Sequence, residues 1–409
     1  MLTGLLIITY LSFISLGLPD SLLGSAWPAM SADLAVPVSY AGIISMIIAG
    51  GTIVSSFMSG RVIRRFGTGL VTAVSVLLTA SALLGFAFSP GGFWWLCLMA
   101  VPLGLGAGSV DTALNNFVAL KYKARHMNWL HCFWGVGATA GPIIMSLFLL
   151  QKGGWKLGYG TIGIVQSALV AVLFISLPLW KKAGVAGSTA EADRKAPKPP
   201  LREVFRMPGV KFALLTFFFY CTVETTAGLW GSSYLVASRG LSPEVAAQWI
   251  SMFYLGITVG RFICGFISMK LNNKTMIRMG QIIVCAGIGF VFLPMGGLFL
   301  QVGFMLMGLG CAPVFPAMLH ETPERFGKQH SQTLMGMQMA CAYIGSTFMP
   351  PLFGMVAQYA DISLFPYFLL GALALMVVAA ENINRIMKRR NAAVLKGEGP
   401  AYEDIGPVR

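Results

Sequence analysis

Twelve stretches of this chain each run for more than twenty residues with at most two charges. They lie near 4–30, 40–60, 69–89, 93–119, 128–150, 157–180, 210–237, 245–269, 277–297, 299–319, 332–358 and 364–384. Hydrocarbon offers no partner for an unpaired backbone group, so only helices and closed barrels cross a bilayer, and a crossing helix needs ~20 mainly apolar residues. Long runs without alternation predict helices. The expected fold class is therefore an all-α polytopic membrane protein with twelve transmembrane helices. Composition agrees, with 56% hydrophobic and 11% charged residues, where a soluble domain carries about a quarter charged. The first stretch has no basic leader and no clear small-residue cleavage site, so it reads as a retained helix.

The net charge of +14 would suit nucleic acid, but its distribution excludes that reading. With the N-terminus on the cytoplasmic side, inside loops and tails hold 25 of the 29 Lys and Arg residues and outside loops hold three, Lys152, Lys156 and Arg239. Such a bias predicts a multi-pass protein of a bacterial-type inner membrane with both termini cytoplasmic. Its basic loops would face the anionic inner leaflet. The seven cysteines all fall in apolar stretches and read as small packing residues; neither C-x-x-C nor H-E-x-x-H occurs.

Residues 181–209, "KKAGVAGSTAEADRKAPKPPLREVFRMPG", form the one long polar segment. They predict a cytoplasmic linker with room for a short interfacial helix. The linker separates an N-terminal six-helix bundle (1–180) from a C-terminal one (210–384), followed by a cytoplasmic tail (385–409). The halves repeat each other. "GLGAG" at 104–108 recurs as "GLGCA" at 308–312, and "GATAGP" at 137–142 as "GSTFMP" at 345–350. Gly51, Val54, Gly60 and Arg65 recur at Gly256, Val259, Gly265 and Lys270. Parallel six-helix repeats resemble the major facilitator superfamily, whose sites lie in a central cavity near the bilayer midplane. "GLGAG" also looks like a phosphate nest, but it sits inside a span without a following Walker lysine and reads as close helix packing.

A carboxylate in hydrocarbon costs at least ~2.5 kcal/mol and is functional by default. Asp20 shares a helix face with Gly17, Gly24 and Trp27, and Asp111 one with Gly104, Gly108 and Asn115. Glu224 aligns with Tyr220 and Gly231. Asp111, Asp20, Glu224 and His131 are the candidates for proton coupling. Asp20, Trp27, Asn115, Asn116, His131, Trp134, Glu224, Trp230 and Gln338 are the candidates for substrate binding. Against this stand blander readings: packing for the tryptophans, interhelical bonds for the amides, a satisfied core histidine for His131. Arg261, within the eighth span, needs a counter-ion, and a gating or structural ion pair with Glu224 competes with substrate contact. Pro313 and Pro316 of "APVFPAM" are expected to break the tenth helix and free carbonyls. No hydrolase pair, triad or metal set is present, so no enzyme and no metal are expected.

"GSVDTALNNFV" at 108–118 resembles the G-x-E-T-x-x-N-P signature of the fucose permease branch, and "HCFWGVGATAGP" at 131–142 its Q-x-F-N-x-x-G stretch. "AAQWISMFYLGITVGRFICGFIS" at 246–268 is similar to that branch's eighth helix. Asp111 stands for the family's glutamate, Asn116 for its proline and His131 for its glutamine. Gly24 aligns with the helix-one acid, and Asp20 lies one turn earlier. "GRVIRRFG" at 60–67 keeps the glycines of the superfamily's G-x-x-x-D-R-x-G motif but has Arg64 for its aspartate. The resemblance implies a monomeric secondary transporter working by alternating access. It would carry out proton-coupled symport of a monosaccharide or related polyhydroxylated solute, with the proton gradient as energy source and no cofactor. A proton-driven exporter of amphipathic compounds is the alternative, and a non-transporting membrane sensor a third reading.

Overall fold

The computed structural model describes residues 2–122, 124–151, 154–182, 201–293 and 296–395. Among them the chain is helical throughout, with short turns. The first span is two helices, α1 (Leu2–Asp20) and α2 (Leu22–Asp33). Then come α3 (Tyr40–Phe66), α4 (Thr68–Phe88), α5 (Gly92–Lys121), α6 (Ala124–Leu149), α7 (Gly154–Ile175) and a short α8 (Leu177–Lys182). The second half has a short α9 (Leu201–Arg206), then α10 (Val210–Arg239), α11 (Pro243–Ile267), α12 (Asn273–Phe292), α13 (Gly297–Phe326), α14 (Lys328–Val356) and α15 (Phe365–Leu395). The expected linker lies mostly outside the described residues, and its last turns are α9.

The repeats read in the sequence are repeated crossings in space. A Cβ on Gly104 would overlap the Ile48 carbonyl where α5 crosses α3, and one on Gly308 the Phe253 carbonyl where α13 crosses α11. Gly137 of α6 likewise presses on the Ile14 carbonyl of α1, and Gly345 of α14 on the Phe218 carbonyl of α10. Lipid gives helices no hydrophobic reason to associate, so van der Waals contact carries the packing and small residues mark it. Large apolar side chains on the outside, Phe57, Trp94, Ile175 and Leu298 among them, remain exposed and suit a lipid surround.

The break between α1 and α2 falls beside Asp20 and has a local cause. Pro19 has no N–H, so the Ser15 carbonyl loses its helical partner. The Gln166 amide of α7 supplies one at 2.5 Å, and its oxygen accepts from the Thr79 hydroxyl at 2.9 Å. Elsewhere proline does not break the fold as expected. α13 continues through Pro313, Pro316 and Pro323 to Phe326, and Pro313 packs against Gly280 of α12. The last helix also outruns its expected end. Its extension is held by Ile383 and Met387 in an apolar cluster with Val204 and Phe326, and by Arg390, which donates to the Arg325 carbonyl at 2.7 Å.

The halves meet most closely at the end away from the termini. Gly24 abuts the Gly228 carbonyl, and Gly42 lies on Pro351. The Ser232 hydroxyl donates to the Ser25 carbonyl at 3.4 Å, and the Ser39 hydroxyl bonds to Gln358. Nearer the middle, Thr139 and Thr258 hydroxyls meet at 3.3 Å. A cavity of about 420 Å³ lies between the halves on the terminal side of this seal.

Candidate functional site

Asp20, Asp111, His131, Trp134, Glu224 and Arg261 all line that cavity. Asp20, at the end of α1, is exposed to it, and its Oδ2 accepts a hydrogen bond from Trp134 Nε1 of α6 at 2.7 Å. Asp111 is half-buried two-thirds of the way along α5; its Oδ1 accepts from Asn115 Nδ2 at 2.9 Å, and the same nitrogen reaches the Asp111 carbonyl at 3.0 Å. Asn115 therefore serves the site through Asp111. The two carboxylates lie within electrostatic reach of each other. Among the described residues neither forms an ion pair.

The second half contributes a charge pair. Arg261 Nη2 of α11 lies 3.7 Å from Glu224 Oε1 of α10, with both side chains about one-fifth exposed. The guanidinium also stands over the Trp134 ring, 4.8 Å from its centroid. Asp20, Trp134, Arg261 and Glu224 thus form a chain of contacts from one half to the other. Arg261 is the link that crosses between them. One face of Trp134 is taken by this cation. His131 is part-buried, its ring edge-on to Phe13 with centroids 5.9 Å apart.

Other candidates lie elsewhere. Trp27 is fully buried and its Nε1 donates to the Val38 carbonyl at 2.7 Å; Trp230 is fully buried and donates to the Pro350 carbonyl at 2.8 Å. Both indoles tie helices together. Asn116 is exposed on α5 and is not part of the cavity wall. Gln338 is buried in a separate void of about 20 Å³ toward the terminal end, where its oxygen accepts from the Thr322 hydroxyl at 3.0 Å. Glu321, between the expected spans 299–319 and 332–358, is buried there within α13 and pairs with Arg325 at 2.6 Å. Tyr254, Tyr343, Thr52 and Thr225 also line the main cavity and were not singled out in the sequence. Tyr254 had a signal, since it shares the helix face of Ile257 and Arg261 at a seven-residue spacing.

A charge pair this enclosed makes a testable demand. Removing one partner of a buried pair costs ~3–5 kcal/mol; the cavity solvates this one in part, so the lower end applies. Glu224→Gln and Arg261→Gln are each expected to lower the melting temperature of purified protein, and the double variant to recover part of the loss. A double variant no more stable than either single one would show that the two charges do not support each other.

The comparisons with known proteins fit this geometry. The family model described as Major Facilitator Superfamily matches residues 9–242 and again 212–395. The chain is 23% identical over 337 residues to the glucose/mannose transporter GlcP of Bacillus subtilis, covering 78% of this chain and 80% of that one. It is 22% identical to Bypass of stop codon protein 6 of Saccharomyces cerevisiae over 87% of this chain and 77% of the relative. Among solved structures, a D-xylose-proton symporter superposes with a TM-score of 0.72 at 13% identity, over 94% of this chain and 98% of the other. A bacterial homolog of the human lysosomal transporter Spinster, inward-facing and unoccupied, gives a TM-score of 0.70 at 13% identity over 94% and 97%. Two six-helix repeats around a carboxylate-lined cavity, matched by the family model over nearly the whole chain, make this protein a multi-pass membrane transporter of the Major Facilitator Superfamily.

Proposed function

We propose that the protein is a proton-coupled symporter of a monosaccharide or related polyhydroxylated solute, of the fucose permease-like branch, in a bacterial-type cytoplasmic membrane with both termini inside. The observation that carries this reading is the pair Asp20 and Asp111 in one cavity, each hydrogen-bonded and neither matched by a cation. An ionised carboxylate accepts up to about four hydrogen bonds. Trp134 uses one of those on Asp20, which leaves acceptors for substrate hydroxyls. Asp111 is the proton carrier, since protonation removes a charge that is costly to enclose when the halves close around the substrate. Tyr254, Tyr343 and Thr225 add hydroxyls around the same space.

The charge of the wall narrows the class further. Three carboxylates face one arginine, and that arginine is engaged by Glu224. A sugar acid would bring a fourth anion into this wall, so a neutral polyol fits better. With both termini cytoplasmic, the cavity faces inward. The names of one relative, a glucose/mannose transporter, and of one structural neighbour, a D-xylose-proton symporter, are in keeping with a sugar as substrate. Neutral sugars, polyols, sugar acids, nucleosides and lipophilic cations should be screened by thermal shift of the purified protein. A ligand at a hundred times its Kd adds about 2.7 kcal/mol to apparent stability. A shift with a neutral sugar or polyol is the expected result. A shift with lipophilic cations alone would favour export of amphipathic compounds.

A further inference from the structure

The helix α9, "LREVFR", has two unlike sides. Val204 is fully buried against Phe326, Leu334 and Met387. Arg202, Phe205 and Arg206 are exposed, Phe205 to 44%. A tight turn joins this helix to the membrane-spanning α10: Met207 N donates to the Val204 carbonyl at 3.1 Å, Val210 N to the Met207 carbonyl at 3.2 Å, and Gly209 adopts φ 92°. That left-handed turn needs glycine. It folds α9 back beside the start of α10.

The depth of α9 follows from its neighbours. Lys211, exposed on the first turn of α10, places its Nζ 5.5 Å from the Phe205 ring centroid. One turn onward on the same face, Leu215 is 43% exposed and apolar, as a lipid-facing residue would be. Phe205 and Lys211 therefore suit the edge of a hydrocarbon layer, where aromatic rings settle and lysine stems reach outward to the headgroups. With Arg202 and Arg206 they bring three basic side chains together beside one acid, Glu203.

We propose that α9 together with Lys211 is a docking surface for an anionic phospholipid leaflet. Phe205 enters the interfacial layer, and Arg202, Arg206 and Lys211 engage lipid phosphates. The occupant is a membrane because the patch adjoins the lipid-facing belt of α10, and the charge is complementary to a leaflet of negative potential. The basic extension of α15 shares the apolar cluster that carries α9, so docking on this face also steadies the end of the last helix.

The test needs no transported solute. Full-length protein is placed in nanodiscs of phosphatidylcholine, with or without phosphatidylglycerol, and hydrogen exchange of the backbone amides of α9 is followed. Each basic side chain near an anionic surface is worth about fivefold in occupancy, so exchange should be several-fold slower in the anionic discs, and the difference should shrink at high salt. The double variant Arg202→Gln, Arg206→Gln should lose most of that difference while melting at the wild-type temperature, since both residues are exposed. Soluble glycerol phosphate added to neutral discs should leave exchange unchanged. Equal exchange in the two kinds of disc, an undiminished difference in the double variant, or protection by soluble glycerol phosphate would each overturn the proposal.

Discussion

Asp111→Asn is expected to leave counterflow exchange of the transported solute intact and to abolish its accumulation under an imposed proton gradient. The amide has the size of the acid, and its oxygen can still accept the hydrogen bond that Asn115 Nδ2 now gives at 2.9 Å. What the variant loses is the choice between charged and neutral states. A carrier fixed as neutral can rock while loaded but cannot make that movement depend on a proton. One pH unit is worth 1.36 kcal/mol, about a tenfold concentration ratio for one-proton symport, and this ratio should fall to about one. Asp20→Asn should behave differently. Its oxygen can keep the Trp134 indole, but bonds to a charged acceptor are worth about 1.5–3 kcal/mol against about 1 for neutral ones. Solute binding should weaken by about tenfold at every pH. Proteoliposomes loaded with the solute found by the thermal screen separate the two roles. Continued uphill transport by Asp111→Asn would move the coupling proton to Asp20.

These two acids were legible in the sequence because charge inside an apolar run is rare and has to be accommodated. Their surroundings were less so. Gly17, Asp20, Gly24 and Trp27 lie on one face of an uninterrupted helix, but the break after Pro19 divides that face. Gly17 packs on α6, Gly24 on α10, and Trp27 is sealed in the core. A tryptophan beside a cavity and one bonded to a backbone carbonyl look alike in one dimension; Trp134 and Trp230 differ only in what folds against them. The amides show the same limit. Gln338 meets Thr322 rather than the cavity, while Gln166 donates to the Ser15 carbonyl that Pro19 leaves free. The pairing of Glu224 with Arg261 was readable, since a lone intramembrane arginine demands an anion. Its seat over Trp134 depends on how the halves meet, which no local pattern encodes.

The internal repeat supports one further experiment, because equivalent glycines meet the same kind of surroundings in both halves, and those surroundings differ from one pair to the other. Gly104→Ala and Gly308→Ala are expected to cost most of the folded yield. At both positions the new methyl group would overlap a backbone carbonyl of the crossing helix, that of Ile48 or Phe253. Backbone cannot swing aside as a side chain can, so the helices must separate, and contact is lost along the whole crossing. Overpacking of a core commonly costs ~1–3 kcal/mol, and a clash with backbone belongs at or above the top of that range. Gly60→Ala and Gly265→Ala are the controls. The first would meet nothing nearer than Arg64 Nη1 at 3.8 Å, and the second nothing within 4 Å. Freed of any clash, alanine should there stabilise helix by up to about 1 kcal/mol. The four variants change the same atoms in helices of the same kind, so intrinsic helix preference cancels between the pairs. Monodispersity on size exclusion and melting temperature in detergent report the outcome. If Gly104→Ala and Gly308→Ala melted with the wild type, close backbone contact at the α3–α5 and α11–α13 crossings would not be what holds each half together.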